Sequence, residues 1–293
     1  MKKVLVTGAF GQLGTELQLL TAGRPEFVFT DIREDGRVLR LDICDAREVG
    51  RFVSEHEVGA IINCAAYTDV NRAESDEALC RAINASGPGN LARAARRNDA
   101  SLIHISTEYV FDGRNPAGYV ESDRRHPLSA YGRTKREGED RVRRSGCKGV
   151  IIRTSWLYSP FGKNFVKTML RLGTEKSEVG VVRDQVGSPT YARDLAEAIL
   201  AILDRIGERR GEVYHFTNGG VCSWAGFAET IMREAGLPCS VKPITTAEYP
   251  TPAVRPACSI MSKEKIVRDF GITIRPWEES LRECLVRIRE QEN

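Results

Sequence analysis

No hydrophobic run in the sequence approaches the roughly 18 residues that a membrane helix needs. The N-terminus passes from Met1-Lys2-Lys3 straight into Val4-Leu5-Val6, too short for a secretory h-region and with no small-residue cleavage site behind it. The eight cysteines (44, 64, 80, 147, 222, 239, 258 and 284) form no C-x-x-C pair and have no histidine at ligand spacing. They read as reduced thiols of a cytoplasmic protein, and no metal is expected. Charge is nearly balanced, 43 Lys and Arg against 40 Asp and Glu. No basic block is long enough for a nucleic-acid arm, so neither nucleic acid nor a membrane is expected as a partner. The densest basic stretch, Arg133 to Arg144, interleaves Glu137, Glu139 and Asp140 and reads as a solvated helix face. Internal repeats and low-complexity tracts are also missing.

What is present is ordinary globular composition, long enough at 293 residues for one large or two modest domains. Short apolar runs recur at Val4–Val6, Phe27–Thr30, Leu39–Leu41, Ala60–Cys64, Leu102–Ile105 and Val150–Ile152. Continuous apolar runs of this length suit parallel strands buried on both faces. Amphipathic segments lie between them, clearest from Glu77 to Arg97, where Ala78, Leu79, Ala82, Ile83, Leu91, Ala94 and Ala95 recur near a 3.6 period. Six such β-α alternations predict an α/β chain with a Rossmann-type doubly wound parallel sheet. After residue 155 Gly and Pro become denser. A helix Asp194–Ile206 and a run Val213–Thr217 are placed to return to the sheet, and Ser223 and Ser262 are read as caps of later helices. The expected division is residues 1–155 plus about 193–217 for the dinucleotide, and about 156–192 plus 218–293 for a smaller, mainly C-terminal substrate-binding lobe.

Gly8, Gly11 and Gly14 follow the first strand with G-x-x-G-x-x-G spacing and open into an amphipathic Thr15–Thr21 helix. Glycine is required where the chain turns sharply and its backbone approaches a pyrophosphate, whose charge the helix N-terminus then holds. Gln12 and Leu13 lie within the same turn. Asp31 ends the second strand, where a carboxylate accepts from the ribose hydroxyls and disfavours a 2′-phosphate, whereas Arg33 could pair with that phosphate. The cofactor is therefore NADPH or NADH, with the preference open. Asp42-Ile43 suits an adenine-side contact, with a salt bridge or helix cap as the alternative for Asp42. Ala65, Ala66 and Tyr67 follow the fourth strand, where a backbone would approach a flat cofactor.

The strand Leu102–Ile105 ends in Ser106-Thr107, and Tyr131 and Lys135 stand at i and i+4, one face of a helix. A free phenol with a pKa near 10 is a poor acid-base group at neutrality, and an adjacent ammonium brings it toward usefulness. His104, mid-strand, is read as a core histidine. Together with Ser106-Thr107-Glu108-Tyr109-Val110-Phe111-Asp112-Gly113, Arg153-Thr154-Ser155-Trp156-Leu157-Tyr158, Asn164 to Leu170, Asp184 to Thr190 and Tyr249 to Pro256, these residues resemble the dTDP-4-dehydrorhamnose reductase family. That family lies within the extended short-chain dehydrogenase/reductase superfamily, and the resemblance spans essentially the whole chain.

The resemblance implies reduction of the 4-keto group of dTDP-4-dehydro-L-rhamnose to dTDP-L-rhamnose by NAD(P)H. It implies that Thr107 orients the keto oxygen, Tyr131 donates the proton, and Lys135 supports Tyr131 and the cofactor ribose. Trp156 would pack on the sugar, Glu108 would contact a sugar hydroxyl, and Asn164, Lys167 and Arg255 would hold the diphosphate. Core, solvated-helix and surface-turn readings stand beside these roles for Trp156, Lys167 and Arg255 respectively. Glu108 departs from the usual Asp, and Arg193 stands among the positions through which some relatives pair, against a metal-bridged dimer; a homodimer of another kind stays open. Two rival readings are a sugar-nucleotide epimerase or dehydratase, and a non-catalytic dinucleotide-binding regulatory subunit. A dehydratase wants an acidic pair after the strand-end Thr, which Glu108 alone does not make, and a binding module has little use for Thr107, Tyr131 and Lys135.

Overall fold

A computed structural model describes residues 2–292. In chain order, β1 (Lys3–Thr7) leads into α1 (Gln12–Leu20), followed by β2 (Phe27–Asp31), β3 (Val38–Arg40), α2 (Ala46–Glu55) and β4 (Val58–Asn63). A short α3 (Glu77–Arg81) passes through one π-helical turn, Ala82–Ser86, into α4 (Gly87–Arg97). Then come β5 (Ser101–Thr107), α5 (Ala130–Ser145) and β6 (Lys148–Thr154). The chain leaves the sheet through β7 (Leu157–Tyr158), α6 (Phe165–Glu175), β8 (Glu178–Val182), β9 (Val186–Gly187) and β10 (Thr190–Tyr191), and comes back through α7 (Ala192–Leu203) and β11 (Arg210–His215). It ends with β12 (Cys222–Ser223), α8 (Trp224–Ala235), β13 (Ser240–Ile244), β14 (Cys258–Ser259), α9 (Glu264–Phe270) and α10 (Trp277–Glu292).

Seven parallel strands form the central sheet in the order β11-β6-β5-β4-β1-β2-β3. Neighbouring residues on the central strands point to opposite faces, and both faces are covered. Val6, Ile62, Ile103 and Ile152 pack with Leu17 of α1, Leu195 and Ile199 of α7, and Ile266 and Phe270 of α9. Leu5, Ile61, Leu102 and Ile151 pack with Val49, Phe52 and Val53 of α2, Leu91 of α4 and Val142 of α5. This double burial is why the strands read as continuous apolar runs. β3, at the edge, leaves Leu39 41% exposed. A third cluster outside the sheet gathers Tyr158, Met169, Tyr191, Phe227, Ile231, Trp277 and Leu281.

Some elements differ from their sequence patterns. The helix expected to begin at Thr15 begins at Gln12, so Gly14 lies in its first turn. The expected Glu77–Arg97 helix is interrupted by its π turn, where Asn84 turns inward: its amide donates to the Tyr67 carbonyl at 3.0 Å and its Oδ1 accepts from the Tyr67 N–H at 2.8 Å. Leu79 of the same apolar stripe is 47% exposed and faces a cleft. Ser223 caps α8 as expected, whereas α9 is entered through Lys263, and Ser262 Oγ accepts from the Glu264 N–H at 3.3 Å. All eight cysteines are free thiols. Among the described residues no helix is long and apolar enough to cross a membrane, and no group of His, Cys, Asp and Glu could hold a metal ion.

The close approach of α5 to the π turn depends on Gly138, where a Cβ would stand 2.2 Å from the Asn84 carbonyl oxygen. Gly138→Ala should therefore lower stability by about 1–2 kcal/mol in urea unfolding, because backbone must move to admit the methyl. Gly50→Ala in α2, where nothing lies within 4 Å of the added carbon, is the control and should stabilise by up to about 1 kcal/mol through helix propensity. Equal effects at the two sites would refute the packing argument.

Candidate active site

The sheet order reverses between β1 and β4, where a doubly wound sheet opens a crevice at its carboxyl edge. Thr7 and Asn63 end these two strands, and the Thr7 hydroxyl donates to Asn63 Oδ1 at 2.7 Å. A cleft of about 970 Å³ opens there. It is lined by Gly8, Gly11, Gln12, Leu13 and Gly14, by Asp31, Arg33, Asp42, Ile43, Ala65 and Ala66, and by Thr107, Glu108, Tyr131, Lys135 and Trp156. The residues expected at the cofactor end and those expected at the chemical end thus share one cavity.

The glycine turn is shaped for close backbone approach. Gly8 has φ +73°, and a Cβ on it would meet the Ala65 backbone nitrogen at 2.6 Å; one on Gly14 would meet the Gly8 carbonyl oxygen at 2.2 Å. The helix behind the turn has Gly11 at its N-cap, with no side-chain cap and no acidic residue in its first turn. α2, α5, α6 and α8, by contrast, begin under Asp45, Ser129, Asn164 and Ser223. The N–H groups and dipole at the start of α1 are thus left to an anion. A nicotinamide dinucleotide fits these residues.

Asp31 buttresses the turn, Oδ2 accepting from the Phe10 N–H at 3.1 Å, while the Arg33 guanidinium lies 5.3 Å from the Phe10 ring centre. Among the described residues Asp42 neither caps a helix nor forms a salt bridge: its Oδ1 accepts from the Cys44 N–H at 2.9 Å, and Asp45 is the cap of α2. Gln12 ties the turn to the outer lobe, its Oε1 accepting from Asn164 Nδ2 at 2.9 Å and its Nε2 donating to the Leu157 carbonyl at 3.4 Å.

Tyr131, Lys135 and Glu139 stand at i, i+4 and i+8 on the inner face of α5. Lys135 is buried, and its ammonium donates to the Ile105 carbonyl at 2.6 Å. Burial pushes its pKa down to about 8, against the pull of the Glu139 carboxylate. The Tyr131 phenol faces the Thr107 hydroxyl and stands edge-on to Tyr109, ring centres 5.3 Å apart. The expected lowering of this phenol by Lys135 does not occur: burial, then the charge of Glu108, raises its pKa well above the usual value. Tyr131 is therefore protonated at neutral pH, the state a proton donor needs. Glu108 is buried, and burial lifts its carboxyl to about 7 although the Thr107 hydroxyl donates to it at 2.8 Å.

Glu139, which reads from sequence as part of a solvated face, is fully buried. Burial alone would raise its pKa. Arg153 (two hydrogen bonds at 2.8 Å), the Ser106 hydroxyl (2.6 Å) and Arg125 (3.0 Å) overcome that and hold it down to about 2. The legible signal was its place on the Tyr131–Lys135 face. His104 is buried as expected, its Nδ1 3.0 Å from Asn63 Nδ2, and burial pushes its pKa well down.

Tyr67, Asn164, Lys167 and Arg255 stand off the cleft lining. Tyr67 packs beside Tyr131 against Ala73, Cys80 and Ala130, its backbone held by Asn84. Asn164 caps α6, Oδ1 accepting from the Lys167 N–H at 3.1 Å, while exposed Lys167 donates to the Pro160 carbonyl at 3.1 Å. Arg255 donates to the Tyr109 hydroxyl at 3.3 Å and acts on Glu108 by its charge, which places it near the chemical end. Trp156, at φ +49°, stacks on Trp224 with ring centres 3.6 Å apart. Phe10, Thr68, Leu79, Tyr109, Ser155 and Lys163 also line the cleft. Phe10 could have been found from its place inside the glycine motif; Lys163 and Thr68 sit in loops with no periodic signal.

Residues 1–290 match the family described as the RmlD substrate binding domain. The chain belongs to this family. It is 41% identical over 294 residues to the dTDP-4-dehydrorhamnose reductase of Aggregatibacter actinomycetemcomitans, covering 96% of this chain and 98% of that protein. A solved dTDP-4-dehydrorhamnose reductase from Clostridium acetobutylicum superposes with a TM-score of 0.92 at 42% identity, covering 98% and 99% of the two chains. That of Bacillus anthracis, solved in complex with NADP, gives 0.89 at 40% identity, covering 98% and 100%. In this RmlD-family chain the buried Glu139–Arg153 pair fixes the helix that carries Tyr131 and Lys135.

Removing one partner of such a pair strands a buried charge, so Arg153→Met should cost about 3–5 kcal/mol. Glu139 is depressed from the 4.5 of an unfolded glutamate to about 2, so its contribution is present above pH 4.5 and is lost as pH falls toward 2. Urea unfolding at stepped pH should show that loss in the wild type and a much flatter profile in Arg153→Met. A wild-type profile flat from pH 4.5 to 2.5 would contradict the assignment.

Proposed function

We propose that this chain is the NAD(P)H-dependent reductase that converts dTDP-4-dehydro-L-rhamnose to dTDP-L-rhamnose. The observation that carries the proposal is the convergence of Thr107, Tyr131 and Lys135 in the same cleft as the glycine turn, in a chain of the RmlD family. The cofactor unit is residues 1–155 plus about 193–217, and the substrate lobe about 156–192 plus 218–293. Gly8, Gly11 and Gly14 with the start of α1 hold the pyrophosphate, and Asp31 and Arg33 flank the adenosine ribose. The bound reduced nicotinamide supplies a hydride. Thr107 orients the keto oxygen, Tyr131 gives it a proton, and Lys135 steadies the ribose and the phenol. Trp156, held by Trp224, offers a face to the sugar, and Arg255 is the arginine nearest that end for a diphosphate oxygen. Asn164 and Lys167 act through the shape of the loop at 159–164. The relative solved with NADP and the opposed pull of Asp31 and Arg33 support use of both NADPH and NADH. A cytoplasmic address suits eight free thiols.

A dehydratase reading is disfavoured because Glu108 is followed by Tyr109 and not by a second acid. A regulatory subunit would gain nothing from a buried lysine at about 8 beside a protonated phenol.

Tyr131→Phe should lower kcat by about 10²–10⁴-fold, the range for losing general acid catalysis, with NADPH affinity nearly unchanged. Turnover near wild type would end the assignment. Asp31→Ala should move the ratio of kcat/KM for NADPH over NADH toward NADPH by roughly tenfold, through loss of repulsion on a 2′-phosphate. A shift toward NADH would show that this carboxylate does not face the ribose.

A further inference from the structure

Among the described residues the cleft is lined by three cations, Arg33, Lys135 and Lys163, and by three acids, Asp31, Asp42 and Glu108. Two of the cations are placed at its ends. Lys135 is buried at the chemical end and donates to the Ile105 carbonyl at 2.6 Å. The Arg33 guanidinium lies over the Phe10 ring, two residues beyond Asp31, at the adenosine end. Lys163 is exposed, and among the described residues it takes part in no hydrogen bond or ion pair.

Lys163 sits in the loop between β7 and α6, and both of its chain neighbours touch the start of α1. A Cβ on Gly162 would stand 3.3 Å from Gln12 Cγ. Asn164 Nδ2 donates to Gln12 Oε1 at 2.9 Å, and the Ser159 hydroxyl donates to the same oxygen at 3.3 Å. The loop is also braced within itself. Asn164 Nδ2 donates to the Ser159 carbonyl at 2.8 Å, the Phe161 N–H to Ser159 Oγ at 3.0 Å, and Lys167 to the Pro160 carbonyl at 3.1 Å. Gln12 is the first residue of α1, directly after Gly11, so the loop holds Lys163 beside the uncapped helix end.

We infer that Lys163 is the side-chain cation for the cofactor's pyrophosphate, reaching it from the loop that packs on Gln12. The inference rests on the cofactor half of the reading above. A pyrophosphate is dianionic, whereas a helix N-terminus offers only about half a positive charge. The first turn of α1, Gln12 to Thr15, has no basic side chain to make up the difference. Asp31 and Asp42 line the same cavity and enlarge the deficit. A lysine suits the place, because its ammonium is a compact charge on a flexible stem and can serve either phosphate without a fixed fork geometry. The pyrophosphate is common to NADPH and NADH, so both gain alike from this contact.

The test measures dissociation constants by titration calorimetry for NADPH, NADH, ADP-ribose and dTDP, on the wild type, Lys163→Ala and Lys163→Arg. ADP-ribose carries the cofactor's pyrophosphate without a nicotinamide, so the readout needs no turnover. Lys163→Ala should weaken NADPH, NADH and ADP-ribose by a common factor of roughly ten. Its affinity for dTDP should hold. Lys163→Arg should recover most of the loss, and the gap between Lys163→Ala and the wild type should narrow in about 0.5 M salt, as screening removes the charge contact. A loss confined to NADPH would place Lys163 on the 2′-phosphate, and one confined to dTDP would place it on the sugar nucleotide. No loss would make it a solvated loop residue, and a loss that salt leaves unchanged would mark a disturbed loop. Each of these four results would overturn the inference. A protein that binds ADP-ribose through Lys163 but never reduces dTDP-4-dehydro-L-rhamnose would overturn the reductase reading alone.

Discussion

The site depends on one buried ion pair. Glu139 lies at the middle of α5 with no exposed surface, and Arg153 of β6 meets it with both forks of its guanidinium. Two charges in so dry a place are tolerated only because the remaining acceptor positions are filled, by Ser106 from β5 and Arg125 from the loop before α5. Ser106 immediately precedes Thr107, and Glu139 is one turn beyond Lys135. A single carboxylate thus fixes the strand end that presents Thr107 relative to the helix that presents Tyr131 and Lys135. Its charge also keeps Lys135 from falling further than burial already takes it.

Around this anchor the helix is brought in by absence of bulk. Gly132 lets α5 pass the Tyr109 carbonyl, where a Cβ would stand at 2.2 Å, and Gly138 does the same over Asn84. The π turn is the matching surface. It aims Asn84 at the Tyr67 backbone, which holds the chain leaving β4 where Ala65 and Ala66 line the cleft. On the other side of the cleft, Gln12 joins the glycine turn to Asn164 and Leu157. The segment from β7 to α6 is therefore registered on the glycine turn.

The parallel sheet was legible because double burial leaves continuous apolar runs, and the glycine turn and the Tyr131–Lys135 pair because their geometry demands fixed spacing. Glu139 was not, since a carboxylate among arginines looks solvated until the partner strand is known. Asn84 was hidden for a related reason: a π turn leaves no mark in a 3.6 period. The phenol's shift ran opposite to simple pair logic because burial and Glu108 outweigh a lysine whose ammonium is engaged with Ile105. Asn164, Lys167 and Arg255 lie in loops or at a helix start, where reach is set by tertiary packing and not by spacing.

The bare start of α1 couples the stability of the fold to whatever anion the cleft admits. α2, α5, α6 and α8 carry their own capping acceptors, whereas α1, like α7, has none, and α1 alone of these two lies on the cleft. A ligand that binds only the folded form at a hundred times its Kd adds about 2.7 kcal/mol, a sizeable share of the stability of a typical domain. Stabilisation of that kind comes from the pyrophosphate end of the ligand, so it does not depend on the redox state of the nicotinamide.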